Sequence, residues 1–313
     1  MKILVTGNLG YLGTVLTPFL VRQSHEVHGL DNGMAAATAR NETPSDSPIQ
    51  HRDISELTGL EGFDIVYHLA AISNDPMGEV NEELTTEVNV NLPKKLAGLY
   101  PNARHVLASS ASVYGAIPNT DVADESYPLN PLTAYARSKV AAESVVSEMR
   151  AYSILRMGTL WGHSPNMRRD IVVNAFCWEA VSNGVIKPKS KARRPILHVL
   201  DAAYAMIAAG LNPDALNKVM NVSSENTTVE AIADAVASVT DTSVSISSEI
   251  TPDARDYAMD SSKYLKIVRN INHQRVLSDK YQISEIVYDA KHLGPEYPTR
   301  LEQLRLWLDK LPS

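Results

Sequence analysis

Residues 1–13 read MKILVTGNLGYLG and contain a strand, a turn and the start of a helix. Lys2 to Val5 form a short apolar run that is typical of a buried strand, and an apolar helical pattern follows the turn. Glycines recur between them at every third position: Gly7, Gly10 and Gly13. Such glycines allow a sharp turn, close approach of the backbone to a pyrophosphate, and tight packing of helix on strand. The stretch predicts a dinucleotide cradle at a helix N-terminus, although ordinary tight turns also contain glycines in this number.

The composition is that of an ordinary globular chain of 313 residues, 44% hydrophobic and 21% charged, which is enough for one large or two closely joined domains. A net charge of -7 disfavours a nucleic-acid partner. No stretch is long and apolar enough for a membrane span, and the apolar start ends at Thr6, too early for a signal peptide. The single cysteine, Cys177, excludes an internal disulfide. We therefore expect a cytoplasmic protein in which Cys177 is a buried apolar residue rather than a nucleophile.

Two carboxylates follow the glycines at positions suited to an adenosine. Asp31 ends a second predicted strand, about twenty residues past the glycines, where a carboxylate accepts ribose hydroxyls and repels a 2′-phosphate. No arginine stands at 32 or 33, so the sequence predicts NAD rather than NADP, although Asp before Asn-Gly is also common in turns. Asp53 is a candidate for the adenine amino group and also for a helix cap. Between the two, residues 34–50 predict an exposed loop.

Strands and helices alternate through the first half of the chain, which predicts an α/β protein with a doubly wound parallel sheet. A fourth strand spans Asp64 to Ala71, and we expect its His68 to be structural. The fifth begins at His105 and ends in hydroxyl side chains, at the carboxyl edge where such sheets bind ligands. These hydroxyls are Ser109, Ser110 and Ser112.

Tyr135 and Lys139 stand four residues apart on the next predicted helix, so both side chains lie on one face. Tyrosine ordinarily loses its proton near pH 10, but an ammonium one turn away and a cationic nicotinamide both favour the phenolate. Tyr135 can then remove a hydroxyl proton while the adjacent carbon gives a hydride to NAD, with Ser110 holding the same oxygen. An ordinary i,i+4 pair on a surface helix is the alternative, and the hydroxyl-bearing strand before the helix favours catalysis.

These motifs together resemble the extended short-chain dehydrogenase/reductase superfamily, in its NAD-dependent nucleotide-sugar epimerase/dehydratase branch, up to about residue 265. The resemblance implies a Rossmann-type doubly wound parallel sheet with a smaller C-terminal α/β substrate domain. The implied NAD-binding domain comprises residues 1–157 and 199–228, and the implied nucleotide-sugar-binding domain comprises 158–198 and 229–313. The implied catalytic group is Ser110, Tyr135 and Lys139. The implied cofactor-binding residues are Gly7, Asn8, Leu9, Gly10, Tyr11, Leu12, Gly13, Asp31, Asn32, Asp53, Ile54, Leu69, Ala70, Ala71, Asn89, Ser109, Tyr135 and Lys139.

The residues after Ser110 distinguish the reactions of this branch. Nucleotide-sugar 4,6-dehydratases place an Asp-Glu pair there, decarboxylases keep the Glu, and GDP-mannose 3,5-epimerases carry a cysteine at the second position. This chain has Ala111 and Ser112, and its Ser-Ala-Ser-Val-Tyr-Gly is similar to UDP-glucose 4-epimerase-like proteins. The resemblance favours an epimerase acting at C4 by transient oxidation to a 4-keto sugar. A 4-dehydrogenase or 4-reductase for a GDP- or UDP-linked hexose or heptose remains open, as does a non-catalytic NAD-binding sensor.

The resemblance also implies a nucleotide-diphosphate sugar as substrate and a homodimer. The implied substrate-binding residues are Ser73, Asn74, Ser110, Ser112, Thr159, Arg168, Asn174, Arg194 and Arg255, and the guanidinium forks of Arg194 and Arg255 suit a diphosphate. Family members commonly have Asn where Thr159 stands. The implied four-helix dimer interface uses residues 83–99 and 135–150, through Leu92, Leu96, Val140 and Val145. Leucines at 301, 304, 308 and 311 predict a closing amphipathic helix, and the sequence shows no cluster of metal ligands.

Overall fold

A computed structural model describes residues 1–34, 48–245, 255–268 and 275–309. Most of the predicted loop at 34–50, and Leu311, lie outside these residues. The strands are β1 (Lys2–Thr6), β2 (Glu26–Leu30), β3 (Ile49–His51), β4 (Ile65–His68), β5 (Arg104–Ser110), β6 (Tyr152–Met157), β7 (Thr159–Trp161), β8 (Val185–Ile186), β9 (Arg193–His198), β10 (Lys218–Val222), β11 (Glu225–Thr228) and β12 (Ser243–Val244). The α-helices are α1 (Gly13–Arg22), α2 (Asp75–Gly78), α3 (Glu82–Thr86), α4 (Leu92–Leu99), α5 (Ala134–Ser147), α6 (Val172–Asn183), α7 (Val199–Leu211), α8 (Val229–Thr240), α9 (Ser262–Ile267), α10 (Lys280–Leu293) and α11 (Arg300–Leu308).

Seven parallel strands form the central sheet, in the order β10-β6-β5-β4-β1-β2-β3. The chain runs outward from β1 to β3 and then returns to place β4 on the other side of β1. In this register Val5 lies beside Gly29 of β2 and beside Tyr67 of β4. Ligands bind at the carboxyl ends of the strands where the strand order reverses. The predicted Rossmann-type doubly wound sheet is confirmed, and the glycine turn leaves β1 at this reversal.

Strand β1 is buried on both faces, which explains its continuous apolar run. Leu4 points into a cluster with Val66 and Leu96 on one face of the sheet. Ile3 and Val5 point into the larger core on the other face. Alternation of side chains along a strand produces this division, so three consecutive apolar residues anchor both layers of helices to the sheet.

A smaller sheet of three strands, in the order β11-β9-β7, lies beyond β6. Helix α6 packs against α8 and α10 in this part of the chain, whereas α7 packs on α1, β5 and β6 and so returns the chain to the central sheet. Residues 225–228, which the predicted boundaries assign to the NAD-binding domain, form β11 and pair with β9 instead. The division into a first unit for NAD and a second unit for the nucleotide sugar remains a prediction.

Two expectations from the sequence concern the burial of Cys177 and the presence of membrane-spanning segments. Cys177 is fully buried within α6, as predicted, and burial raises the pKa of its thiol. A thiol held protonated in an apolar core is a poor nucleophile. Among the helices of the described ranges, none combines the length and the hydrophobicity needed to cross a membrane.

Candidate active site

The glycine turn is packed too closely for any other residue at two of its positions. Gly7 has a φ of +70°, and a β-carbon there would lie 2.6 Å from the backbone nitrogen of Ala70. A β-carbon on Gly13 would lie 2.2 Å from the carbonyl oxygen of Gly7. The Thr6 hydroxyl accepts hydrogen bonds from the backbone N–H groups of Leu69 and Ala70, at 3.2 and 3.1 Å. The ends of β1 and β4 are thereby held together beneath a backbone surface that a diphosphate can approach.

A cavity of about 720 Å³ opens at this carboxyl edge of the sheet. Its volume lies within the range of about 300–1,000 Å³ that is usual for ligand sites. It joins the glycine turn to the predicted catalytic residues, so one cavity holds both parts of the predicted site. The predicted residues that line it are Gly7, Gly10, Tyr11, Leu12, Gly13, Asp31, Asn32, Asp53, Ile54, Leu69, Ala70, Ala71, Ser73, Asn74, Ser109, Ser110, Ser112, Tyr135, Lys139, Thr159, Arg168, Arg194 and Arg255.

Four residues that were predicted to contact a ligand lie behind the cavity wall. Asn8 donates to the Gln50 side chain at 2.7 Å, and the Leu9 backbone N–H donates to Asp31 at 3.1 Å. Asn89 is buried in a π-helical turn, where its amide bonds both backbone groups of Ile72 and the Ser138 hydroxyl. Asn174 donates to the Arg168 carbonyl at 2.8 Å. These bonds hold the wall of the cavity together, and the predicted role of the four residues as ligand contacts remains a prediction.

The two predicted adenosine carboxylates are fixed by different local structures. Asp31 accepts hydrogen bonds from the backbone N–H groups of Leu9 and Gly33, at 3.1 and 2.8 Å. Burial raises the pKa of Asp31, and these two hydrogen bonds act in the opposite direction. Asp53 caps the short 3₁₀ helix Ile54–Leu57 by accepting from Ser55 N–H at 2.8 Å. The cap that the sequence offered as an alternative is therefore present, and Asp53 also borders the cavity.

Helix α5 carries the predicted base and lysine into the cavity. Thr133 caps its first turn by accepting a hydrogen bond from the Ala136 N–H, which fixes the start of the helix just before Tyr135. The Lys139 ammonium donates to the Ala108 carbonyl at 2.9 Å and lies 5.8 Å from the centre of the Tyr135 ring. The Ser110 hydroxyl accepts from the Ser112 hydroxyl at 2.9 Å, and it forms a hydrogen bond with the Tyr135 phenol. Serine, tyrosine and lysine thus converge at the end of β5.

Burial dominates the electrostatics of this group. It raises the pKa of Tyr135 to about 12, against the effects of the Ser110 hydrogen bond and the charge of Arg168. It lowers the pKa of Lys139 to about 8, against the effect of Glu143. The sequence predicted that the ammonium would favour the phenolate, whereas the protein by itself keeps Tyr135 protonated at neutral pH. Further positive charge beside Tyr135 would be needed to reverse this.

A buried carboxylate that the sequence reading missed supports the lysine. Glu143 lies one turn beyond Lys139 on α5 and pairs with Arg156 of β6, with an Nη2–Oε2 distance of 2.8 Å. The Ser109 hydroxyl donates to the same carboxylate at 2.5 Å. The i,i+4 spacing from Lys139 was the available sequence signal, but nothing in the sequence indicated Arg156 as the partner. Glu143 ties the catalytic helix to the central sheet directly below Lys139.

The segment after β4 is held in a strained conformation at the end of the cavity that contains Tyr135. Asn74 has φ 89° and ψ 159°, a region that is nearly restricted to glycine. Its side chain accepts from Met77 N–H at 3.0 Å and donates to Asp170 at 2.8 Å. Arg168 joins the same network, since its guanidinium donates to Asp170 at 2.8 Å and to the Ser73 hydroxyl at 3.1 Å. Asp170, which the sequence did not single out, brings the predicted Ser73, Asn74 and Arg168 together.

Two further features complete this end of the cavity. A β-carbon on Gly78 would lie 2.9 Å from the backbone nitrogen of Tyr135, so the glycine lets α2 pack directly on the catalytic helix. Arg194 of β9 is buried, with its guanidinium 5.9 Å from the centre of the Tyr257 ring. Arg255 and Thr159 border the same space. Arg194 and Arg255 thus add two cations to the lining of the cavity that contains Tyr135.

Comparison with known proteins places this architecture in a family. The sequence model of the NAD dependent epimerase/dehydratase family matches residues 3–223. The chain is 32% identical over 167 residues to a UDP-glucose 4-epimerase of Mycolicibacterium smegmatis, an alignment covering 48% of this chain and 51% of that protein. It is 26% identical over 224 residues to UDP-glucuronic acid decarboxylase 1 of Xenopus tropicalis, covering 66% of this chain and 53% of that protein. The alignments thus span about half the length of these two curated relatives.

A solved structure shares the fold over nearly the whole chain. The UDP-glucuronic acid 4-epimerase of Bacillus cereus, determined with UDP-glucuronic acid and NAD, superimposes with a TM-score of 0.78 at 20% identity. The match covers 94% of this chain and 100% of that one. The family model matches more than half of the sequence, and NAD binding in that family accounts for both the glycine turn and the cavity. The chain belongs to the NAD-dependent epimerase/dehydratase family, a family of enzymes whose cofactor is NAD.

Proposed function

We propose that this enzyme is a nucleotide-sugar 4-epimerase. The observation that carries the proposal is the single cavity that joins the glycine turn to Ser110, Tyr135 and Lys139, with no carboxylate at the two positions after Ser110. Dehydration and decarboxylation need an acid or base at those positions, and Ala111 and Ser112 supply none. A reaction that requires one proton transfer at a sugar hydroxyl fits the residues that are present.

The residues of the first unit suit NAD. Gly7 and Gly13 let the turn pack tightly at the end of β1, where its backbone lines the cavity, and Asp31 presents a fixed carboxylate for ribose hydroxyls. NAD bound by these residues would supply a reversible hydride acceptor for the substrate carbon. Its cationic nicotinamide would add the positive charge that Tyr135 needs to lose its proton. Lys139 is buried beside Tyr135 and is positioned to contribute to the same effect.

The remaining steps follow from the protein side chains. Ser110 donates a hydrogen bond to the C4 oxygen of the sugar and orients it, and Tyr135 removes the proton from that oxygen and later restores it. Rotation of the 4-keto sugar between these steps presents its other face, so the hydroxyl returns with inverted configuration. Arg194, Arg255 and Arg168 provide cations for the diphosphate of a nucleotide-diphosphate sugar.

We also propose that the enzyme is a homodimer that associates through α4 and α5. Val140 and Val145 of α5, and Leu92 of α4, remain partly exposed in the single chain. Leu96 is fully buried in the chain's own core, so it stabilises α4 on the sheet and not the interface. The apolar area for a two-fold contact would therefore come from the exposed and partly exposed residues of both helices.

Substitution of the base tests the proposed chemistry. We expect Tyr135→Phe to lower the rate of isomerisation of UDP-, GDP- or dTDP-linked hexoses by about 100-fold or more, because the proton acceptor is lost. The matched control is Tyr281→Phe on α10, whose side chain is 65% exposed and lies away from the cavity. Chromatographic separation of the sugar isomers provides the measurement. A Tyr135→Phe enzyme as active as the wild type would exclude the proposed role.

A further inference from the structure

Helix α11, which the sequence predicted only as a closing amphipathic helix, contributes two residues to the wall of the cavity. Leu304 is fully buried and packs in a cluster with Met77 of α2 and Ile72, the residue that Asn89 holds. From the same helix, Arg300 and Trp307 line the cavity that contains the glycine turn. The closing helix is thus a structural part of the cofactor site and not an appendage to the second unit.

The guanidinium of Arg300 is connected to the glycine turn through the side chain of Asn166. Arg300 is 4% exposed and donates to the Asn166 side chain at 3.3 Å and to the Gln303 side chain at 2.5 Å. Asn166 in turn donates to the carbonyl of Leu9, within the turn, at 2.6 Å. Arg300 and Asp31 also stabilise each other's charged forms. Arg300 therefore places a cation in the cavity wall, linked through Asn166 to the carbonyl of Leu9.

The local charges at this wall favour an anionic ligand. Burial lowers the pKa of Arg300 to about 10, and the nearby guanidinium of Arg168 acts in the same direction. The carboxylates of Asp170 and Asp31 act in the opposite direction on the pKa of Arg300. A buried cation that neighbours another cation gains more from an anion than a surface arginine does, because water screens it less.

We propose that Arg300 binds the diphosphate of NAD, so that the C-terminal helix contributes directly to holding the cofactor. The glycine turn leaves backbone N–H groups on one side of a diphosphate, and Arg300 would supply a charged fork on the other. The inference rests on NAD as the cofactor and does not depend on which sugar the enzyme converts.

Binding measurements on truncated ligands test this inference. We would strip nucleotide from the full chain and titrate it calorimetrically with NAD⁺, with ADP-ribose and with adenosine, which lacks the diphosphate. Arg300→Gln should weaken binding of NAD⁺ and ADP-ribose by about tenfold to a hundredfold and leave adenosine unchanged. Arg300→Lys, which keeps the charge but not the fork, should fall between this variant and the wild type. Arg305→Gln, an exposed arginine of the same helix, is the matched control and should bind as the wild type does.

The outcomes separate this inference from the assignments on which it rests. Equal affinity of the wild type and both Arg300 variants for NAD⁺ would overturn the role of Arg300. In a parallel titration with UDP, an Arg300→Gln protein that loses UDP binding but keeps NAD⁺ binding would also overturn the proposal. Arg300 would then belong to the substrate site. Failure of the wild-type protein to bind NAD⁺ would instead contradict the cofactor itself. Circular dichroism of each variant identifies any that fails to fold, and Arg300→Lys then decides the question.

Discussion

Lys139 is a buried cation whose position suits catalysis but lowers the stability of the fold. Burial lowers its pKa to about 8, so the folded protein binds this proton more weakly than the unfolded chain does. The resulting penalty is fully present below pH 8 and disappears as the pH rises toward the ordinary lysine pKa of about 10.4. A residue that weakens the fold at neutral pH is expected where function requires a charge.

Substitution of this lysine should therefore separate stability from activity. We expect Lys139→Met to raise the free energy of unfolding by about 1–3 kcal/mol at pH 7, with a gain that shrinks between pH 8 and pH 10. Isomerisation should fall by roughly 100-fold or more, since positive charge beside Tyr135 is lost. Urea denaturation at several pH values measures the first effect.

The control is Lys280→Met, at an exposed position at the start of α10, which should change stability by no more than about 0.5 kcal/mol. A Lys139→Met protein that is less stable than the wild type at pH 7 would mean that the ammonium contributes favourably to the fold. The assignment of Lys139 as a strained catalytic group would then be wrong.

A site residue could be predicted from the sequence when its interaction partner lies close to it along the chain. Tyr135 and Lys139 could be paired from sequence because helix geometry fixes residues four apart on one face. Asp170 and Arg156 could not, since Asp170 meets Asn74 across 96 residues and Arg156 meets Glu143 across 13. Both contacts exist only once the strands are in register. Arg300 was missed for the same reason, because its hydrogen-bond partner Asn166 lies 134 residues away in the chain.

At the scale of elements, the sequence predicted which strands and helices occur and was less accurate at their ends. The fourth strand was expected to run from Asp64 to Ala71, yet β4 ends at His68. Beyond it, the N–H groups of Leu69 and Ala70 bond the Thr6 side chain and not a neighbouring strand. The fifth strand ends at Ser110 and passes into a 3₁₀ turn that Ser110 itself caps. Both departures occur where backbone borders the cavity.

The α4 and α5 pair carries the prediction about assembly. Two-fold packing of these helices should give a particle of twice the 34.2 kDa chain mass by light scattering at micromolar concentration. Val145→Glu, which places a charge on the partly exposed face of α5, should shift the protein toward the monomer. Leu216→Glu, at an exposed apolar residue before β10, is the control and should remain dimeric. A wild-type particle of one chain mass would refute the proposed dimer.

At the scale of the whole molecule, strand order explains why distant motifs form one site. The chain returns past β1 after β3, so the carboxyl ends of β1, β4 and β5 lie side by side. Alternating apolar segments were sufficient to predict this sheet, because parallel strands joined by helices have few possible arrangements. The packing of α11 against α2 was not predictable, since an amphipathic pattern indicates that a helix is half-buried but not against which surface.

The epimerase proposal predicts where a hydrogen atom travels. In a 4-epimerase the hydride removed from C4 returns to C4 of the same sugar, whereas a 4-dehydrogenase passes it to the released cofactor. Both use the same serine, tyrosine and lysine, so the arrangement of these residues is common to the two reactions.

The most direct test is to supply a nucleotide sugar labelled with deuterium at C4 to the purified enzyme without added cofactor. The account predicts that the epimer forms with deuterium retained at C4, by mass spectrometry and NMR, and that no reduced nicotinamide accumulates. Release of a 4-keto sugar together with deuterated NADH would contradict it and establish a dehydrogenase.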